Sequence, residues 1–309
     1  MSAPWAAEVD ISEGLVRRLL DEQFPEFRHC RLTLLGEGWD NSAWLLGDDW
    51  VFRFPRRQLG ADLIASETAV MPAVAGRLPA PVSSPQRIGQ PCDAYQWSFA
   101  GYPRIPGREL CEVAPVPARR LLLAEQLGQF LRTLHSVTVA EAQQMGAPPD
   151  TLGRLDLERR ARQTCEHFTR AADLGLIDDP APWTRLLDRL LPQCPPPREA
   201  CLVHGDLYSR HVIVDERPSA DVVLAGVIDW GDVHVGDPAV DLACAWSLFD
   251  ISGRQRLLAA YGAVDTGTLA LARFRALAHS AICLVYGREG DVPSLEAASK
   301  SALRWLLQT

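Results

Sequence analysis

Apolar positions change period several times along the chain, and each change predicts an element. Leu15, Val16, Leu19 and Leu20 recur at helical spacing behind Ser12, which predicts a capped helix from Ser12 to Phe24. Arg31–Leu35, Ser42–Leu46 and Trp50–Phe54 then alternate or run apolar, with breaks at Gly36–Asn41 and Gly47–Asp49, which predicts three antiparallel strands. A helix over Leu63–Val74 follows, and Pro85–Gly89 and Tyr95–Ile105 supply two more strands of a five-stranded sheet. The run Tyr102-Pro103-Arg104-Ile105-Pro106-Gly107 has the punctuation of a connector between lobes. From Ala118 the period is helical. Leu121, Leu122, Leu127, Phe130, Leu131 and Leu134 form a wide apolar face ending at His135. Asp156–Leu174 and Trp183–Leu191 are amphipathic, and further helices are predicted from Gly236 to Phe249, Arg254–Tyr261, Thr268–Tyr286 and Ser294–Leu307.

Between the two helical stretches lies a different pattern. Cys201, Leu202 and Val203 lead into a polar loop from His204 to Arg210. The β-rich segments Val212–Val214 and Val222–Ile228 follow, separated by the turn formers Asp215, Arg217, Pro218, Ser219 and Asp221. That is a hairpin. Pairing across it brings His211 and Asp229 to one end, facing the loop that carries Asp206. A loop carboxylate, a possible metal ligand five residues later and a second carboxylate across a hairpin suit phosphoryl transfer. The reaction needs a base to orient a hydroxyl and ligands for magnesium on the nucleotide phosphates. His204 is read as a loop cap that bonds to backbone.

Composition narrows the classes. With 309 residues, 47% hydrophobic and 23% charged, the chain supports a folded protein with two lobes. The formal net charge of −8 argues against nonspecific nucleic-acid or membrane-surface binding. Eight scattered cysteines without a CxxC pair point to reduced thiols and a cytoplasmic setting. The N-terminus shows no basic and apolar leader, and no stretch is read as approaching the roughly 20 apolar residues of a membrane span.

The segments HGDLYSRHVIVD, VIDWGD and GDPAVDLA resemble the aminoglycoside and macrolide phosphotransferase family, antibiotic kinases with the protein-kinase fold. The resemblance implies an α+β, bilobal, kinase-like architecture. Its nucleotide-binding lobe would span residues 1–103 and its catalytic, acceptor-binding lobe residues 104–309. Carried over residue by residue, Asp206 is the catalytic base, and His211 and Asp229 are the metal ligands for Mg2+. His211 stands where the family usually has Asn, and imidazole suits magnesium less well than oxygen does. The HGDLYxxH form is similar to the macrolide branch. Asp241 would hydrogen-bond the catalytic-loop backbone.

On the nucleotide side, the family's phosphate loop coincides with Gly36, Gly38, Asn41 and Ser42, where backbone N–H groups could approach phosphate oxygens. Arg53 occupies the position of the kinase lysine, with Glu67 as its expected partner and Arg56 or Arg57 as substitutes. Arg104 and Ile105 would offer backbone groups to the purine. The implied reaction moves the γ-phosphate of ATP or GTP to a hydroxyl of a small acceptor, with macrolides ahead of aminoglycosides. Kinases of the choline, homoserine or fructosamine type and an inactive kinase-fold binder are the alternatives. A metallophosphoesterase would need DxH and GNH signatures that the chain lacks.

Overall fold

The structure is a computed structural model that describes residues 7–38, 40–216 and 221–308. Trp39 of the glycine-containing turn, Arg217, Pro218 and Ser219 of the hairpin turn, and the first six residues, where a leader was sought, lie outside the described residues. The chain divides into two compact units. The smaller runs to Gly76 and takes in Val82–Ile105 and Asp229–Asp232; the larger holds the rest.

In the smaller unit, α1 (Glu13–Gln23) starts where Ser12 accepts the Leu15 N–H. Its buried Val16, Leu19 and Leu20 lie in one core cluster with Trp44, Leu46, Phe52, Phe54 and Phe99. The antiparallel sheet consists of β1 (Leu32–Glu37), β2 (Asn41–Leu46), β3 (Trp50–Pro55), β4 (Arg87–Gly89) and β5 (Phe99–Pro103), in the order β1-β2-β3-β5-β4. Helix α2 (Gln58–Val74) connects β3 to β4. Strand alternation decides which side chains share a face. Phe52 and Phe54 point into the aromatic core, where the Phe54 and Phe99 rings stack with centroids 4.6 Å apart. Arg53 therefore points the other way. Ala100, its register partner, and Tyr102 pack on that side against Ile64 of α2.

Two expectations about this sheet are corrected. The first break is shorter than Gly36–Asn41, because Gly36 pairs with Ala43 and Glu37 with Ser42. A register shift between Leu34 and Gly36 absorbs the irregularity. The last strand begins at Phe99, four residues later than expected. Tyr95 instead bridges Cys92 in a tight turn and donates its hydroxyl to the Pro55 carbonyl at 2.5 Å.

The larger unit opens with β6 (Arg108–Glu109) and continues through α3 (Leu121–Leu134), α4 (Val139–Gln144), α5 (Leu157–Asp173) and α6 (Ala181–Leu190). The strands β7 (Cys201–Val203), β8 (Val212–Glu216), β9 (Val222–Val227) and β10 (His234–Gly236) follow. They form two small sheets, β6-β8-β9 and β10-β7. The helix expected from Gly236 to Phe249 is broken into α7 (Ala239–Leu242) and α8 (Cys244–Ser247). The chain ends with α9 (Ile251–Tyr261), α10 (Thr266–Glu289) and α11 (Pro293–Leu306). Helix α4 was not anticipated, although Thr138 and Glu141 form a capping box at its start. Gly128 lets α3 approach α9 closely, since a Cβ there would sit 2.3 Å from the Leu257 carbonyl oxygen.

Helix α10 is the axis of this unit, packing against α5, α6, α7, α8 and α11. It is long and apolar enough to cross a membrane by length and composition, which corrects the expectation that no stretch approaches that length. Of its most apolar window, 78% is buried within the protein, as expected of a core helix. The hydrophobic effect that would drive such a segment into lipid is here satisfied by its neighbours.

Candidate active site

The arginine of β3 shows what its strand position achieves. Arg53 places Nη1 3.3 Å from Glu67 Oε2 and Nη2 2.7 Å from Asp229 Oδ1. Glu67 is fully buried on α2, where it also accepts the Tyr102 hydroxyl at 2.8 Å and the Trp230 N–H at 3.4 Å. Burial alone would weaken the guanidinium's hold on its proton, but Asp229 and Glu67 outweigh that and keep Arg53 cationic. Burial pushes the Glu67 carboxyl up to about 7, against the pull of Arg53. Asp229 has φ 63°, in the left-handed region that Asp enters more readily than most residues. Its N–H donates to Ser83 Oγ at 3.2 Å. One guanidinium thus holds two carboxylates, one buried and one a third exposed.

Arg56 and Arg57 are engaged elsewhere. Arg57 Nε lies 2.6 Å from Asp40 Oδ1, and Arg56 reaches Glu37 at 3.3 Å and the Gly38 carbonyl at 3.2 Å. They brace the turn between β1 and β2, where Gly38 donates its N–H to the Asn41 carbonyl at 2.8 Å. This changes the expected phosphate loop. Gly36 lies within β1, and Ser42 is fully buried in β2 with its hydroxyl accepting the Trp44 Nε1–H at 2.8 Å, so that hydroxyl is not presented to a ligand. Gly38 remains in the turn, and Asn41 opens β2. Arg104 donates its N–H to the Asp49 carbonyl at 2.7 Å, which takes that donor away from a purine, while Ile105 follows β5 outside any strand.

In the larger unit, β7 delivers the chain into the loop His204–Arg210. Gly205 has φ 90°, a conformation that a residue with a Cβ adopts only under strain. Asp241 is completely buried and accepts the His204 N–H at 2.7 Å and the Gly205 N–H at 3.0 Å. His135, at the C-terminus of α3, supports Asp241 at 3.1 Å and reaches the Tyr261 hydroxyl at 2.9 Å through its other nitrogen. His204 is buried, and burial lowers its pKa. The neutral ring can then donate from Nε2 to the Ile228 carbonyl at 3.0 Å and accept the Asp206 N–H on Nδ1 at 3.2 Å. Histidine at this position caps the loop, as read from the sequence. The ladder also closes one step earlier than expected, because the Ile228 N–H, not that of Asp229, donates to the His211 carbonyl at 2.9 Å.

Asp206 keeps a quarter of its side-chain surface exposed. Its Oδ1 lies 3.2 Å from His279 Nε2 and 3.7 Å from Arg275 Nη2, and its Oδ2 lies 3.7 Å from His211 Nδ1. Burial would raise its pKa, but the His279 hydrogen bond and the charges of His279, His211 and Arg275 hold it well below the usual carboxylate range. His211 Nδ1 makes its short contact, 2.8 Å, with the Asp206 carbonyl oxygen. Arg154 bonds the Gly205 carbonyl at 2.9 Å and Asp150 at 2.6 Å.

Sequence reasoning missed Arg275, His279 and Arg154. A signal existed for the first two: they stand four apart in a mostly apolar helix, which puts two titratable groups on one buried face. Among the described residues no cluster of three or more His, Cys, Asp or Glu could hold a metal by itself. Asp229 offers the oxygen donor that magnesium takes, and magnesium is commonly held by one or two carboxylates together with substrate phosphates.

Comparison with known proteins bears on the family and the fold. A profile described as the phosphotransferase enzyme family matches residues 31–277. Viomycin phosphotransferase from Streptomyces vinaceus is 29% identical over 233 residues, covering 72% of this chain and 76% of that protein. The wild-type aminoglycoside 2'-phosphotransferase-IIIa, solved with GDP, superposes with a TM-score of 0.67 at 24% identity, covering 96% of this chain and 99% of that one. The apoenzyme of a macrolide 2'-phosphotransferase from Brachybacterium faecium gives a TM-score of 0.56 at 25% identity, covering 89% and 91%. The α+β, kinase-like fold is therefore shared. Because the profile spans well over half of its length, the chain belongs to the phosphotransferase enzyme family and is a small-molecule phosphotransferase.

Proposed function

We propose that this protein transfers the γ-phosphate of ATP or GTP to a hydroxyl of an antibiotic-like acceptor, with macrolides ahead of aminoglycosides. The observation that carries the reading is Asp206: an anionic, partly exposed carboxylate on a loop whose backbone is fixed by Asp241. It would accept the hydrogen bond of the acceptor hydroxyl and orient that oxygen toward the phosphorus. Arg53 would contact nucleotide phosphate, with Glu67 holding its guanidinium in place. The backbone around Gly38 and Asn41 would approach the phosphates, and Ile105 would serve the purine. Magnesium bound with the nucleotide would neutralise charge on the phosphates, with Asp229 as its main protein ligand and His211 the weaker one.

The order of acceptors is supported by charge. Around the base lie Arg275, Arg154 and Arg160 against the carboxylates Asp206 and Asp150. Among the described residues Arg160 bonds uncharged oxygens, those of Leu152, Gly153 and Gln163, at 2.7–3.1 Å. Burial and the neighbouring Arg275, Arg159 and Arg154 lower its pKa to about 10. A polycationic aminoglycoside would meet repulsion there, whereas an apolar ring with one amine would meet little. Two of the acidic residues that could have favoured a polycation have other partners: Asp250 caps α9, and Glu289 pairs with Arg170. The eight free thiols support a cytoplasmic setting.

A coupled nucleoside-diphosphate release assay tests the proposal, with ATP and GTP over macrolides, aminoglycosides, viomycin, choline and homoserine. Turnover confined to choline or homoserine would overturn the antibiotic reading. Two variants test the nucleotide side. Arg53→Ala is expected to raise the nucleotide KM by about 10–100-fold, the equivalent of losing one charge-assisted contact of about 1.5–3 kcal/mol. An unchanged KM would move the role to Arg56 or Arg57. Asp229→Asn should raise the magnesium concentration needed for half-maximal turnover by about 10–100-fold on the same reasoning, and His211→Asn should change it by no more than a few-fold. The reverse order would sink the ligand assignment.

A further inference from the structure

We propose that His279, seconded by Arg275, is a positioning residue that fixes the rotamer of the catalytic carboxylate. The inference rests on the reading of Asp206 as the base and adds what makes that base directional. A carboxylate on a loop rotates easily about its last torsion, where the energy wells are broad and two-fold. A base must instead present one oxygen to the reacting hydroxyl at about 2.6–3.2 Å.

The geometry distinguishes the two oxygens. Both α10 contacts, His279 Nε2 at 3.2 Å and Arg275 Nη2 at 3.7 Å, go to Oδ1. Among the described residues it is His211 Nδ1 that approaches Oδ2, at 3.7 Å, and its shorter bond goes to the Asp206 carbonyl. Oδ1 is therefore the anchored oxygen, and Oδ2 is the one turned to the acceptor. Two features hold the anchor. The Tyr208 ring packs edge-on to both His279, at 5.0 Å, and His211, at 4.4 Å, so that one aromatic from the catalytic loop braces both imidazoles. Cys283, one turn further along α10, lies 3.7–3.8 Å from the His279 ring nitrogens. Burial and Arg275 lower the pKa of His279 while Asp206 raises it, and the geometry makes Nε2 the atom that donates to Oδ1.

Placing this donor on α10 has a mechanical reason. The helix is 24 residues long and packed on several sides, so a group fixed to it moves less than one on the loop. Arg275 is 9% exposed and lies one turn before His279, on the same face. A guanidinium and an imidazole at this spacing form a short rigid fork that reaches the loop from the helix.

The test uses the full chain with magnesium nucleotide and an acceptor found in the panel. His279→Ala is expected to lower kcat by about 10–100-fold, the order that a misplaced catalytic group costs, with the nucleotide KM unchanged. His279→Gln, whose amide N–H can reach the same oxygen, should recover to within a few-fold of wild type. His279→Asn, one carbon too short, should not. In an Asp206→Ala background, adding His279→Ala should change residual turnover by less than about twofold, because the group it positions is gone. A crystal structure provides a readout independent of the acceptor: Asp206 should keep its rotamer in His279→Gln and spread over more than one in His279→Ala. Near-wild-type kcat in His279→Ala, an equal loss in both backgrounds, a Gln variant no better than Asn, or an unmoved Asp206 side chain in the Ala crystal would each overturn the proposal. If Asp206→Ala itself keeps nearly full turnover, the base assignment fails instead, and the kinetics separate the two failures.

Discussion

Asp206→Ala is expected to lower turnover by about 10²–10⁴-fold while the protein still binds nucleotide. The expectation follows from what surrounds the side chain. Its carboxylate is kept anionic by His279, His211 and Arg275, so it can accept a hydrogen bond across the working pH range. Its backbone is not free to drift, since the preceding Gly205 and His204 are tied to Asp241. A strongly ionised carboxylate is a weak base, which suits phosphoryl transfer: the transition state is loose, and the main demand on the protein is to orient the hydroxyl. Asp206→Asn therefore makes the sharper comparison. It keeps one carbonyl acceptor but loses the charge, and it should fall between the wild type and the Ala variant. Steady-state kinetics on an acceptor from the panel, with nucleotide affinity measured separately by calorimetry, checks both. Turnover near the wild-type level in Asp206→Ala would move the base elsewhere.

The legible parts of the chain were those in which chemistry and periodicity coincide. The alternation of Trp50–Phe54 places Phe52 and Phe54 on one face and Arg53 on the other, so an arginine aimed away from an aromatic core could be read from the sequence. The expected Arg53–Glu67 contact is present at 3.3 Å. The Asp241 bonds to the catalytic-loop backbone are likewise where the resemblance implied them. What was misread depended on closure at the ends of elements. Gly36 and Asn41 looked like a loop because glycine and asparagine favour turns, but cross-strand pairing with Ala43 and Pro55 carried the ladder past them. Local preference of about 1 kcal/mol or less is easily overridden by a ladder bond and a buried neighbour.

The residues that escaped sequence reading act across long separations. His279 meets Asp206 over 73 positions, and Arg154 meets Gly205 over 51. Neither belongs to a motif, because α10 brings in His279 and the turn before α5 brings in Arg154, and packing is a property of the whole unit. Arg275 and His279 were visible only as a polar interruption of an apolar helix. Such an interruption is costly to bury without a partner, and that cost was the usable clue.

Asp241→Ala should be the most destabilising single change around this loop, by about 3–5 kcal/mol, the order expected when a buried carboxylate is taken from the donors packed on it. The carboxylate is wholly buried and accepts bonds from two backbone N–H groups and from His135. Deleting it leaves the two backbone donors without their acceptor, at about 1–3 kcal/mol each. For a unit of this size, about 2–4 °C of melting temperature per kcal/mol predicts a fall of roughly 6–20 °C, measurable by calorimetry. Asp241→Asn retains one acceptor oxygen but turns an amide N–H₂ toward a backbone donor, so it should recover only part of the loss. The pH dependence supplies a second check. Burial would raise the Asp241 pKa, but His135, His204 and the Gly205 N–H together lower it below the ordinary 3.8. A depressed folded value means that the stabilisation is complete above the unfolded pKa and is lost as pH falls through the folded one. The stability gap between wild type and Asp241→Ala should therefore be full at neutral pH and should narrow once the pH is taken below 3.8. A gap that stays constant into acid, or an Asn variant within about 0.5 kcal/mol of wild type, would show that the carboxylate charge does not hold the catalytic loop.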